Sequence, residues 1–168
     1  MQTKKIFLLS FPSLISLSLV FSLYNNINTE VEYSKNAIQQ IEKKAKVKVE
    51  VAKAIKITKN IEKTNDKSRL KTANIIMEVF PEELHAEALK VAICESSLRS
   101  HAYNKNRDGT RDWGVFQLND GGTLQRLGGN QSKAKDAEWN INAAYVLYQD
   151  RGWKPWVCAK KLGLLKKS

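Results

Sequence analysis

Glu95 and Asp112 are the residues through which this sequence could do chemistry. Glu95 stands at the end of a segment with helical periodicity. Asp112 stands in a polar, glycine-bearing turn that runs on into Gly114-Val115-Phe116-Gln117-Leu118-Asn119. Two acids delivered from a helix end and a turn are the equipment for glycoside cleavage. Pro81-Glu82-Glu83 has the composition of a helix start, with proline in the first turn and acids at the positive end of the dipole. Apolar residues then recur at Leu84, Ala88, Val91 and Ala92, and the next member of that stripe is Glu95. A carboxyl held in an apolar face is pushed towards its neutral form. A carboxyl that stays protonated near neutral pH can act as a general acid. The alternative is an acid at a frayed helix end, paired with Arg99 one turn on.

The stretch around these acids resembles the c-type lysozymes and, more broadly, the lysozyme-like lytic transglycosylases of the SLT class. The c-type pattern runs E-S, then A-x-N-x-N-x-D-G-S/T-x-D-Y/W-G-I/V-L/F-Q-I/L-N. Here it is met without a gap by Glu95-Ser96, Ala102, Asn104, Asn106, Asp108-Gly109-Thr110 and Asp112 through Asn119. The resemblance implies that Glu95 is the general acid and Asp112 its partner carboxylate, the division of labour for which lysozymes are the type case. It implies that Asn104, Asn106, Gln117 and Asn119 line or support a sugar cleft. Asn140 begins Asn140-Ile141-x-Ala143-Ala144-x-x-Leu147, which resembles a third SLT motif with Ala144 in place of the usual glycine. Trp153 and Trp156 have the W-x-x-W spacing of c-type lysozymes, in which the first Trp packs on the catalytic Glu. Trp153 is thus the candidate for an apolar wall beside Glu95, with ordinary core filling as the alternative. Trp113 either stacks on a sugar or fills the smaller lobe.

These residues need a scaffold. The expected fold is α+β and mostly α, a lysozyme-like fold with a small β-hairpin lobe over residues 70–168. Ala73, Ile76, Met77 and Phe80 mark a short helix before the one bearing Glu95. Polar residues 99–112 and the apolar run Val115–Leu118 fit a hairpin or an irregular lobe. Two Gly-Gly pairs bracket one helical turn at Leu124–Leu127. A helix from about Asp136 to Arg151 carries the stripe Ile141, Ala144, Tyr145 and Tyr148, with Gly152 as its stop signal.

Ahead of that domain the composition changes twice. Met1 to Lys5 is a cationic lead, and Ile6 to Tyr24 is free of charge, so residues 1–24 read as a signal peptide or a retained membrane anchor. Residues 25–69 read as a basic stalk. Within it Ile38, Ile41 and Ala45 share a helical face, whereas Lys46 to Val51 alternates with period two as a strand would. A helix is the favoured reading, and a solvated spacer the alternative. A coiled coil is disfavoured because its seam would hold Lys48 and Lys59. The net charge of +11 is concentrated here: residues 35–71 hold twelve bases against four acids, about +8. Such a segment favours anionic lipid or wall polymer. Nucleic acid is disfavoured, because the segment has no aromatic residue on which a base could stack.

An exported chain with an even number of cysteines is a disulfide candidate. The resemblance implies a Cys94–Cys158 bridge, since lysozymes also tie the Glu-bearing helix to the C-terminal segment, with cysteines at slightly different positions. Two buried free thiols are the alternative. No cofactor or metal is expected. Asn104 to Asp112 imitates half of a calcium loop but has Val115 where the bidentate Glu belongs. His85 and His101 have no metal-ligand spacing. Two function classes remain: an exported enzyme that cleaves peptidoglycan glycan strands, and a non-catalytic glycan-binding protein on the same fold.

Overall fold

The structure, a computed structural model, describes residues 14–165; the cationic lead and the first part of the apolar run lie outside the described residues. Helix α1 spans Leu14–Glu62. The chain divides into two compact units, one up to Lys44 and one from Ala45 onward. In the first unit every side chain described, from Ser18 to Lys44, is exposed. Among the described residues no helix is long and apolar enough to cross a membrane.

The second unit opens with the end of α1. Ala54, Thr58 and Ile61 are buried there, and Thr58 Oγ1 donates to the sulfur of Met77. The period-two alternation at Lys46–Val51 is helical in the structure. Val47, Glu50, Val51 and Ala54 also fall at i, i+3, i+4 and i+7, and it is this helical face that is drawn inward. Helix α2, Lys67–Val79, is capped by Asp66, whose carboxylate accepts the Arg69 N–H, and it buries Thr72, Ala73 and Ile76. A 3₁₀ turn at Glu82–Leu84 leads into α3, His85–Ser96. The helix start expected at Pro81 is thus a tight turn followed by an α-helix.

Three short strands form the smaller lobe: β1 Tyr103–Lys105, β2 Arg111–Trp113 and β3 Leu118–Asn119, antiparallel in that order. Two single-turn helices follow, α4 at Thr123–Arg126 and α5 at Gln131–Ala134. Helix α6, Ala137–Arg151, starts on the Asp136 cap and ends at Gly152, within a residue of its expected limits. Helix α7, Val157–Lys161, closes the domain. The core lies where α2, α3 and α6 meet, around a cluster of rings. Phe80 stacks on Phe116 at 5.6 Å and on Trp153 at 6.0 Å, and Trp156 meets the edges of Phe116 and Trp153. Ala144 is fully buried in that region. Cys94 and Cys158 form a disulfide that joins α3 to α7, with Cα atoms 5.8 Å apart.

Candidate active site

Glu95 is placed by the way α3 ends. Ser97 and Leu98 take left-handed conformations, φ 53° and 62°, so the helix ends at Ser96, one residue after the acid. Inside that last turn the Ser96 hydroxyl is buried and turns back to the Ala92 carbonyl. The Glu95 side chain is half-buried, and its Oε1 accepts the backbone N–H of Cys158 at 3.0 Å. Arg99 Nε donates to the Ser96 carbonyl. Burial raises the Glu95 pKa above the ordinary carboxylate range, against the Cys158 N–H, which lowers it. The negative charge of Asp112 adds to the rise, and Lys161 opposes it.

Asp112 is placed by the sheet. It sits on the central strand, opposite Asn104 on β1 and Asn119 on β3. Its two oxygens each accept one amide: Oδ1 from Asn119 at 2.7 Å and Oδ2 from Asn106 at 2.9 Å. The turn before it is set by Asp108, which accepts the Thr110 hydroxyl and N–H. The hydroxyl bond and then the N–H hold the Asp108 carboxyl below its usual range. After β2 the chain must pass close to α6. Gly114 has φ +79°, and a Cβ there would lie 2.1 Å from the Ala134 carbonyl oxygen and 2.3 Å from Asn140 Nδ2. Only glycine satisfies both the conformation and the approach.

The two acids share one cavity of about 300 Å³, lined by Glu95, Asn106, Asp112, Gln117, Asn119 and Thr123 together with Leu118, Leu147, Pro155, Trp156 and Val157. The lining is thus part polar, with the two carboxylates, and part apolar. Gln117 faces this cavity from a left-handed backbone, φ 48°, with its amide donating to the Gly114 and Ala102 carbonyls.

The other expected site residues lie apart from the cavity lining. Asn104 is exposed and donates to Asn106. Trp113 is buried under Tyr103, with its indole N–H on Asp120 and Lys135 over its ring. Asn140 is fully buried. Its Oδ1 accepts the Phe116 N–H at 2.8 Å, and its Nδ2 donates to the Trp113 and Ala134 carbonyls. With its side-chain oxygen and nitrogen both engaged within the protein, it positions the Gly114 turn and has neither left for a sugar. Trp153 belongs to the aromatic core, its indole N–H 2.6 Å from Glu87. The Trp on the cavity wall is the second of the pair, Trp156, whose indole N–H is satisfied by the Phe116 carbonyl. The Cys158 N–H is the other group that sequence reasoning missed: a backbone donor leaves no trace in residue type.

Residues 80–158 match the family described as Lysozyme like domain. This stretch is thus similar to the lysozyme-like domains of the SLT type. The match takes in the Glu95 helix, the Asp112 sheet, α6 and both cysteines, and hence every residue that lines the cavity. No curated protein matches the chain. At the level of the family, the lysozyme-like domain points to peptidoglycan-related glycan cleavage, and with the disulfide to a location outside the cytoplasm.

Proposed function

We propose that the lysozyme-like domain is a muramidase that cleaves the β-1,4 bond between N-acetylmuramic acid and N-acetylglucosamine. The observation that carries this reading is the pairing of unlike carboxyl environments in one cavity. Glu95 has its pKa raised by burial, and Asp112 is held by two amides on a polar strand. Protonated Glu95 gives its proton to the glycosidic oxygen, and the bond to the muramic C1 breaks with the electron pair leaving on that oxygen. Asp112 faces the oxocarbenium ion that develops, with Asn106 and Asn119 fixing its orientation. The Glu95 carboxylate then takes a proton from the nucleophile that attacks C1. That nucleophile is water in a hydrolase and the sugar's own 6-hydroxyl in a transglycosylase. Trp156, Leu147, Pro155 and Val157 supply the apolar part of the lining against which a sugar face packs.

Residues 1–24 carry the following chain across the membrane in this account. The basic stretch 35–71 then lies near anionic wall polymer or lipid and holds the domain close to its substrate.

Turbidity clearance of purified peptidoglycan tests the enzyme against a glycan-binding protein without activity. Mass spectrometry of the products with Asp112→Asn decides the route. Near-complete loss of activity, from a wild type that releases reducing sugars, fits hydrolysis. Retained activity with 1,6-anhydro products fits transglycosylation. A wild-type protein that binds peptidoglycan but never clears it overturns the enzymatic reading.

A further inference from the structure

The Cys94–Cys158 bridge and the general acid are joined more closely than a structural staple requires. Cys94 is the residue before Glu95 on α3, and Cys158 is the residue whose backbone N–H meets Glu95 Oε1 at 3.0 Å. The same two residues that close the covalent link therefore flank both ends of a hydrogen bond to the reacting group. Helix α7 is a single short turn, Val157–Lys161. A helix of five residues has little stability of its own, so what holds it on α3 decides where its N–H groups point.

We propose that the disulfide is a positioning device for Glu95, holding the Cys158 N–H on Oε1 so that the acid keeps one orientation and one proton affinity. This rests on the role given to Glu95 above, but the geometry it invokes is independent of activity. Two other charged groups act on Glu95: Asp112 from β2, which favours its protonated form, and Lys161 from α7, which favours its ionised form. The bridge holds α7, so both influences that favour the carboxylate, the Cys158 N–H and Lys161, depend on it. Without the bridge the Cys158 N–H and Lys161 are held less closely against burial and Asp112, and Glu95 titrates at higher pH. Its orientation towards the glycosidic oxygen is also lost, so the maximal rate falls.

The test compares the wild type with Cys94→Ala/Cys158→Ala, titrating the Glu95 side-chain carboxyl by carbon-13 NMR, with circular dichroism to confirm folding. Glu95 in the bridge-free protein should titrate measurably higher than in the wild type, because a hydrogen bond that favours its charged form is loosened. The alkaline limb of the wall-clearing profile should move up by a similar amount while the maximum falls. A folded double variant with an unmoved Glu95 titration overturns the proposal and leaves the bridge as a staple alone. If the double variant does not fold, the Cys158 amide in the wild type decides the matter. Its proton shift should follow the Glu95 midpoint and lose that response in Glu95→Gln; an amide that ignores the titration overturns the proposal. Because neither NMR readout needs turnover, an inactive wild type refutes the proposed function without touching this one.

Discussion

Replacing Asn140 by alanine removes three hydrogen bonds at once from the support of the Asp112 strand. The Phe116 N–H, the Trp113 carbonyl and the Ala134 carbonyl each lose their partner at Asn140. All three residues are buried, Phe116 and Ala134 fully. A buried polar group left without a partner costs ~1–3 kcal/mol. The three groups lie side by side, so their penalties do not add in full. The low end of the range gives a destabilisation of about 3 kcal/mol for the three together. With a slope of roughly 2 kcal/mol per molar urea for a domain of this size, the unfolding midpoint falls by about 1.5 M. The assay is urea unfolding followed by tryptophan fluorescence and by circular dichroism, whose agreement tests two-state behaviour. Asn140→Asp keeps an acceptor for the Phe116 N–H but sets an oxygen against two carbonyls, so it should be no better. A midpoint lowered by less than about 0.5 M, at unchanged slope, refutes the argument that this amide anchors the turn.

Three further outcomes are expected. Gly114→Ala should destabilise by at least about 2 kcal/mol in the same assay, because the methyl meets the Ala134 carbonyl and Asn140 at a left-handed backbone. Asp120 has its carboxyl pKa lowered by the Arg111 N–H and then by the Trp113 indole, so its stabilisation is present above the unfolded pKa and lost as pH falls through the folded one. Asp120→Ala should therefore be less stable than wild type at neutral pH, by at most ~1 kcal/mol for so solvated a group, with the gap closing below about pH 4 in thermal melts. Glu95 has the opposite sign. Its raised pKa means that the fold loses stability as pH rises from the unfolded carboxylate range through the folded value, so Glu95→Gln should melt progressively higher than wild type over that rise.

What could be read from the sequence was set by local rules. The Asp136 cap, the apolar stripe and Gly152 fix α6 because capping and periodicity are local. The Asp108-Gly109-Thr110 turn is equally local, and it forces Asp112 onto a strand facing Asn104. Which side chains meet across the fold was not legible in the same way. Trp153 and Trp156 have the same type and nearly the same position, and only their partners across the fold, Glu87 for Trp153 and the Phe116 carbonyl for Trp156, tell which of them lines the cavity. Asn140 stands on an apolar helix face, and a buried amide and a ligand-binding amide look alike until its three partners are seen. At Lys46–Val51 two periods fit the same residues, and burial of Ala54, Thr58 and Ile61 settles the competition for the helix.

In the proposed reaction Glu95 supplies the proton that breaks the glycan. The most direct test of this role is the rate at which Glu95→Gln clears purified peptidoglycan, measured beside the wild type after both are shown to be folded. The substituted amide preserves the shape and can still accept the Cys158 N–H, but it has no acidic proton to give. Loss of a positioned general acid removes roughly 10²–10⁴-fold in rate. A fall in that range is expected at every pH where the wild type is active. A folded Glu95→Gln protein that clears peptidoglycan within a few-fold of the wild-type rate would contradict this role for Glu95.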